Sequence, residues 1–384
     1  MYNYIPLEQA ADILDSYRKP VNSKERLNLI KGKPLDELFP YYGATGQVGW
    51  IDSFLTDGEY ILLGEDGAPF LNPYAEKAYI IYGKTWVNNH AHILRSKTNN
   101  EFLCYYLNYF NYKNYVSGTT RLKLTQAQMR KIPIPNIPSD EQSRIVAHIE
   151  ELFSELDKAI DTLKTTKEQL EVYRQAVLKD AFSCLPETVE MDKIADMIDP
   201  QPSHRTPPEY ENGIPYIGIG DIDYQNKKIN FEDARKVSPE VLDEHLHRYT
   251  IHKGDFVMGK IGTIGKPYKI PDEQNYALSA NVILIQPNKE KIYPEFLFWQ
   301  FSSSLVTKQL TLGAKATSQP AFGIKKARLL SIKICELEKQ FKIIKRLEAE
   351  MSCCDNIEKT VDAALAQADA MRQSILKQAF EGKL

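Results

Sequence analysis

Asn72-Pro73-Tyr74-Ala75 comes nearest to the Asn/Asp-Pro-Pro-aromatic turn with which adenine methyltransferases hold a flipped base, but it lacks the second proline and reads as a loop turn. A phosphate cradle needs Gly-x4-Gly-Lys-Ser/Thr; here Gly265-Lys266 runs into Pro267, and Lys260 stands where the first glycine belongs. Gly259, Gly262 and Gly265 miss the Gly-x-Gly-x-x-Gly spacing of a dinucleotide turn. The acidic-x-Lys triplet of many metal-dependent nucleases occurs only as Glu381-Gly382-Lys383, in the terminal tail, a poor place for a rigid site. His90 and His92 put two imidazoles on one strand face, with no third ligand or cysteine pair nearby. That leaves polar contact with a ligand, or ordinary strand packing, as their roles. Cys104, Cys184, Cys335, Cys353 and Cys354 are odd in number and lack paired metal spacing, which fits reduced thiols in a cytosol. The chain is therefore expected to be cytoplasmic, without a catalytic residue, a metal or a cofactor of its own.

The elements that carry these residues are repeated. "RQAVLKDAF" (Arg174–Phe182) returns as "RQSILKQAF" (Arg372–Phe380), 198 residues on, and such a period governs the architecture. At the same offset Gln142 meets Gln340, Ile145 meets Ile343, Glu150 meets Glu348 and Asp157 meets Asp355, with no gap. Steps of four and three pick out Ile145, Ile149, Leu152, Leu156, Ala159, Leu163, Thr166, Leu170, Tyr173 and Val177 in the first copy. The second gives Ile343, Leu347, Glu350, Cys354, Ile357, Val361, Ala364, Ala368, Met371 and Ile375. One position in each set is strongly polar or hydroxylic, so the spacing predicts a coiled-coil seam between two long helices; the alternative is two amphipathic helices on separate cores. Ser139 and Gln142 have capping-box spacing at the first helix start. At ~1.5 Å per residue each helix would be roughly 60 Å long.

Length, at 384 residues, asks for two or three domains, and 43% hydrophobic with 26% charged residues is a globular composition. No apolar run of about 18 residues exists, and the opening "MYNYIPLEQAADILD" has acids where a signal peptide needs bases. The net charge of −3 is uneven: residues 139–183 hold six Lys/Arg against ten Asp/Glu, and 336–384 hold eight against nine, which leaves the remainder net basic. Each helix follows a mixed segment, and these segments share anchors. "LEQAADILD" (Leu7–Asp15) matches "MDKIADMID" (Met191–Asp199). "GEYILLG" (Gly58–Gly64) matches "GDFVMGK" (Gly254–Lys260), and "EFLCYYL" (Glu101–Leu107) matches "EFLFWQF" (Glu295–Phe301). The reading is α+β: two mixed α/β domains in tandem, over 1–138 and 184–338, with helices over 139–183 and 339–384 forming an antiparallel coiled coil between them. Unlike loops on a repeated scaffold suggest two sites reading different things.

"PYYGATGQVGW", "DGEYILLGEDGAPF", "KTWVNNHAHIL" and "SGTTRLKLTQAQMRKIPIPNIPSDEQSRIVAHIEELFSELDKAI" in the first half resemble the specificity subunits of type I restriction–modification systems. So do "PYIGIGDI", "GDFVMGKIGTIGK" and the terminal "LKQAFEGKL" in the second. The first helix departs by ending "LKDAFSCLP", and the second by starting from "SIKICELEKQ" in place of an "IPLPP"-like approach. The resemblance covers essentially the whole chain. It implies a non-catalytic subunit whose two target-recognition domains each read half of a bipartite, asymmetric double-stranded DNA target. It also implies a coiled coil that separates them and docks two methyltransferase (modification) subunits. Those partners would bring S-adenosylmethionine, and motor-nuclease (restriction) subunits would bring ATP and Mg²⁺.

Base edges are read by Arg, Lys, Asn, Gln, Ser or Thr on loops, and phosphates by Lys, Arg and backbone N–H groups. In the first domain the candidates are Tyr41, Tyr42, Lys84, Asn88, Asn89, His90, Arg121 and Lys123. In the second they are His204, Arg205, Lys260, Thr263, Lys266, Asn281, Lys315, Thr317 and Gln319. The glycines of "GKIGTIGK" suit close approach of backbone N–H groups to phosphate.

Overall fold

The structure, a computed structural model, describes residues 3–203, 205–261, 263–313 and 322–383. It divides into two units, Met1–Thr165 with Val361–Leu384, and Thr166–Thr360, so each takes part of both long helices.

In the first unit a four-stranded antiparallel sheet runs β2-β9-β6-β7. Beside it lies a sheet of order β4-β3-β8-β5 whose β3–β8 pair is parallel, and β1 pairs with β10 at the chain's way in and out. The strands are β1 (Tyr4–Pro6), β2 (Ala11–Ile13), β3 (Phe39–Gly43), β4 (Gly46–Ile51), β5 (Thr56–Asp57), β6 (Tyr60–Gly64), β7 (Ala78–Ile81), β8 (Lys84–Val87), β9 (Ala91–Ser96) and β10 (Pro133–Pro135). Helices α1 (Leu7–Ala10), α2 (Ser23–Ile30), α3 (Asn100–Tyr109) and α4 (Gln126–Met129) connect and cover them. All five residues of β6 are buried, as expected of a central strand covered on both faces. α3 starts where the Asn99 side chain accepts from the Phe102 N–H.

The second unit repeats this plan. Its four-stranded sheet runs β12-β20-β17-β18, its second sheet β16-β13-β19 again has a parallel pair, β13–β19, and β11 pairs with β21. The strands are β11 (Glu187–Glu190), β12 (Ala195–Ile198), β13 (Ile214–Ile217), a β14–β15 hairpin (Ile222–Asp223, Lys228–Ile229), β16 (Lys236–Val237), β17 (Phe256–Gly259), β18 (Pro267–Lys269), β19 (Ala277–Leu278), β20 (Val282–Pro287) and β21 (Ser331–Ile334). α5 (Ser139–Ser183) lies between the two sets of strands. α6 (Pro239–Leu246), α7 (Pro294–Phe301), α8 (Ser304–Gly313) and α9 (Ile324–Arg328) precede α10 (Leu337–Phe380).

The repetition reaches single hydrogen bonds. Glu65 N donates to His90 O at 2.7 Å and Lys260 N to Asn281 O at 2.7 Å; Leu124 N donates to Glu65 O at 2.7 Å and Phe322 N to Lys260 O at 2.9 Å. Both repeated helix ends dock the same way. Phe182 meets Phe296 of α7 edge-on at 5.3 Å within the second unit, and Phe380 meets Phe102 of α3 edge-on at 5.4 Å within the first.

In each unit the two long helices run antiparallel. In the first, Val146 and Ile149 share a core with Leu376, Ala379 and Phe380, while Asp157 pairs with Arg372. In the second, Arg346 reaches Asp180 at 2.7 Å, while Arg174 spans Asp355 at 2.7 Å and Glu358 at 2.9 Å. Asp157 and Asp355 occupy one repeat position, and Arg372 and Arg174 another, so the same contact is built twice.

The expected seam needs correction in phase. Ile149, Leu156, Val177, Leu347 and Val361 are buried, and Ile145, Leu152, Leu163, Leu170, Ile343 and Ile375 half-buried, but Tyr173, Ile357 and Met371 are exposed. Ala159 is exposed as well. Their places are taken one residue later by Ile160, Arg174, Glu358 and Arg372, all half-buried. A straight helix has 3.6 residues per turn and drifts ~20° per heptad against a strict 3.5 repeat; four heptads separate Ile145 from Tyr173, so the stripe slips by most of a position. The capping box is not formed either. Gln142 is buried, its Nε2 donates to Ile137 O at 3.0 Å, and its Oε1 accepts from the Thr98 hydroxyl at 2.9 Å. Gln340 repeats this, donating to Cys335 O at 2.8 Å and accepting from Tyr293 N at 3.0 Å. These glutamines pin each helix start to its own domain.

Candidate nucleic-acid interface

Three loops converge at one end of the first unit's sheets: Glu65–Gly67 after β6, Asn88–His90 between β8 and β9, and the segment ending at Lys123. Besides the Glu65–His90 bond, Gly67 N donates to Leu122 O at 3.1 Å, which laces the loops through backbone. Asp66 then holds His90 Nδ1 at 2.5 Å and an Arg121 guanidinium nitrogen at 3.0 Å, while Glu65 holds Lys123 Nζ at 3.1 Å and Arg18. Burial opposes ionisation of Glu65, yet the hydrogen bonds from Arg18 and Lys123 keep its carboxyl below its ordinary range. Underneath, Asp15 binds His92 Nδ1 at 2.7 Å, Gln126 Nε2 at 2.7 Å and Ile93 N at 3.0 Å. Its burial is likewise overcome, chiefly by His92, and its carboxyl is held low.

The result is a tray of cations over carboxylates. Arg121 and Lys123 remain mostly exposed, and exposed ion pairs of this kind contribute at most about 1 kcal/mol, so phosphate oxygens could displace the carboxylates. Asn89 is exposed beside them, and Tyr42 is half-buried against Tyr79, its hydroxyl pKa raised by burial. His90 belongs to this surface. His92 does not: it is fully buried and also contacts Leu124 O at 3.0 Å. Among the described residues no three His, Cys, Asp or Glu side chains converge on a common point as a metal would need.

Two candidates in the first unit are internal. Tyr41 is buried with Ile51 and Trp86 because its hydroxyl reaches Val21 O at 3.2 Å, and Asn88 is buried because its Oδ1 accepts from His90 N at 2.8 Å. Lys84 is exposed but starts β8, over the Phe54 ring at 4.8 Å; at ~3.3 Å per residue it stands roughly 13 Å along the strand from Asn88.

A basic run escaped the sequence reading. Arg18, Lys19, Lys24, Arg26, Lys31 and Lys33 face a single acid, Glu25, between residues 18 and 33. Lys24 and Arg26 lie within α2 and the others flank it; Arg26 lies over the Tyr41 ring at 5.0 Å and donates to Trp50 O at 3.4 Å. The signal was the local charge count, hidden by the near-neutral total.

In the second unit the matching loops solve their charges differently. Lys260 stands at the frame position of Glu65 but is buried, its Nζ 2.6 Å from Asp199, so it is a structural cation and not an exposed contact. Asn281 is half-buried, its Oδ1 accepting from Ile219 N at 3.1 Å and the Ser279 hydroxyl at 2.5 Å. Gly259 serves the loop itself, since a Cβ there would lie 1.7 Å from the Thr263 carbonyl oxygen. Thr263, Lys266 and Arg205 are exposed. Lys266 sits 4.2 Å from the Tyr224 ring centroid, and that tyrosine's hydroxyl is pushed up to about 12 by burial and by Tyr268. His204, Lys315, Thr317 and Gln319 lie outside the described residues. Among the described residues no helix is long and apolar enough to cross a membrane.

Comparison with known proteins agrees with this duplicated plan. Residues 9–172 and 186–367 each match the family described as type I restriction modification DNA specificity domain. A Haemophilus influenzae chain assigned provisionally as a type I restriction enzyme specificity subunit is 29% identical over 310 residues, covering 76% of this chain and 74% of its own length. The EcoBI specificity subunit of Escherichia coli is 25% identical over 295 residues, covering 70% of this chain and 62% of its own. A chain from a structural study of type I R-M complex assembly and conformational transition has the same fold, with a TM-score of 0.71 at 15% identity over 100% of this chain and 98% of that one. With both repeats matched, the chain belongs to the type I restriction modification DNA specificity domain family and is a DNA sequence specificity subunit.

Proposed function

We propose that each unit reads one half of a bipartite, asymmetric duplex target, and that the paired long helices set the spacer and dock two methyltransferase subunits. The observation that carries this is the repeated frame with unlike loops: the bonds around Glu65 and Lys260 coincide while their charges and exposed neighbours differ. A frame preserved to single hydrogen bonds gives two platforms of one geometry, and different loop side chains give them different base preferences. The chain does no chemistry in this reading. Methyl transfer belongs to a partner holding S-adenosylmethionine, and any cleavage to motor-nuclease subunits using ATP and Mg²⁺, in the cytoplasm. Purified chain with DNA, Mg²⁺ and S-adenosylmethionine should neither cut nor methylate, and should gain methylation on addition of the modification subunit. Exchanging residues 1–138 for a paralogue's domain should then change one half-site in the methylome. A change in both halves would defeat the modular reading.

A further inference from the structure

After β12 the chain is tied at three backbone carbonyls, those of Pro200, Arg205 and Pro207. Arg248 donates to Pro200 O at 3.1 Å, Gln201 Nε2 to Arg205 O at 3.3 Å, and Arg235 Nε to Pro207 O at 3.2 Å. The central tie is itself held. Gln201 Nε2 also donates to the Ser203 hydroxyl at 3.0 Å, so its Oε1 faces His245 Nε2, 2.9 Å away. An amide oxygen only accepts, so His245 Nε2 carries the hydrogen, its Nδ1 accepts, and the Tyr249 hydroxyl at 2.8 Å donates. His245 is fully buried in the last turn of α6, and every polar atom of this relay has one possible role. Arg205 is the reverse: its side chain is exposed, and among the described residues its guanidinium has no hydrogen bond or ion pair. A fixed backbone carrying a free guanidinium fork suits bidentate contact with a guanine edge or a phosphate.

The first unit holds its matching loop by the same device with other residues. After Asp15, the counterpart of Asp199, Trp86 Nε1 donates to Lys19 O at 2.8 Å and the Tyr41 hydroxyl to Val21 O at 3.2 Å. There the donors are buried rings of the second sheet, in place of the arginines and glutamine of the second unit, and they again secure a stretch with an exposed cation, Lys19.

We infer that His245 is a positioning residue for base reading in the second unit, acting through Gln201 on the Ser203 hydroxyl and the Arg205 carbonyl and so on the approach of Arg205 to DNA. This rests on the proposed function and names one determinant of the second half-site. The test uses the full chain with its methyltransferase partner, selecting from duplexes randomised in both half-sites. Arg205→Ala should relax one or two positions of one half-site by roughly 5- to 100-fold, the range of a single good base contact. His245→Phe, which keeps a ring but removes both nitrogens, should relax those same positions and leave the other half-site unchanged. The double variant should be no worse than Arg205→Ala alone, a non-additivity that mere loss of stability would not produce. Should His245→Phe fail to fold, Gln201→Met breaks the same tie without touching α6 and should give the same pattern. Unchanged preferences, relaxation at other positions, or multiplied effects in the double variant overturn the inference alone. A wild-type complex that selects no sequence removes the reading beneath it as well.

Discussion

His245 makes the second unit's stability depend on pH between 5 and 7. Burial, then the charge of Arg248, depress its pKa from 6.5 to about 4. The unfolded chain therefore takes up a proton on His245 below about pH 6.5, while the folded chain does not until near 4. Stability is complete above pH 6.5 and falls as the pH drops through that window. With those two values the linkage integral between pH 7 and pH 5 gives a loss of about 2 kcal/mol, and the slope near pH 5 is roughly 1 kcal/mol per unit. The depressed carboxyls Asp15, Glu65 and Asp355 lose their contributions only at lower pH, outside this window. Urea unfolding at pH 5, 6 and 7 would compare the wild type with His245→Gln, which stays neutral throughout. The variant should lose about 2 kcal/mol less than the wild type over this range, with the change confined to the unit containing Trp299. Parallel stability curves for the two proteins would refute a buried neutral imidazole, and with it the donor assignment of the Gln201 relay.

Other expectations follow from the helices and the cation tray. Inserting four residues within Thr162–Glu171 should lengthen the spacer in the methylome while leaving both half-sequences intact; an altered half-site would count against the ruler. Arg174, 17% exposed at its side chain and bridging two carboxylates, should cost about 1–2 kcal/mol when replaced by alanine. Arg372→Ala, at a 33% exposed side chain with one carboxylate partner, should cost less than about 1 kcal/mol in the same denaturation assay, and equal losses would undo the ranking. Arg121→Ala and Lys123→Ala should each flatten the slope of log affinity against log salt by about 0.9 if each meets a phosphate, and an unchanged slope would remove them from the interface.

Much of the plan could be read from residue order because it is written twice. The 198-residue repeat, the anchors and the absence of breakers are local signals, and the strands at Tyr60–Gly64 and Phe256–Gly259 and helices at Asn100–Tyr109 and Pro294–Phe301 lie where those anchors are. What could not be read is which polar residues fold inward. Tyr41, Asn88 and Lys260 look like surface readers in a string, yet Val21, His90 and Asp199, distant in sequence or hidden in a turn, draw them inside. Gln142 looks like a capping residue until Thr98, 44 positions earlier, supplies its hydroxyl. Tyr173 and Met371 fail for a geometric reason, since accumulated helical drift favours the arginines one position on, whose carboxylate partners come from the other helix.

The sign change between Glu65 and Lys260 explains how one frame can support unlike surfaces. Both residues give their backbone N–H and C=O to the same two partners in the frame, so neither side chain is needed to hold the loops together. Each charge is balanced locally instead, Glu65 by Arg18 and Lys123, and Lys260 by Asp199. Asp15, at the position of Asp199, has meanwhile turned to His92 and Gln126. Frame stability and surface charge are thus carried by different atoms of the same residues. A substitution in the tray, such as Arg121→Ala, can change what the first unit reads without loosening β6 and β9. By contrast His245→Phe alters no exposed atom and reaches the second surface only through backbone.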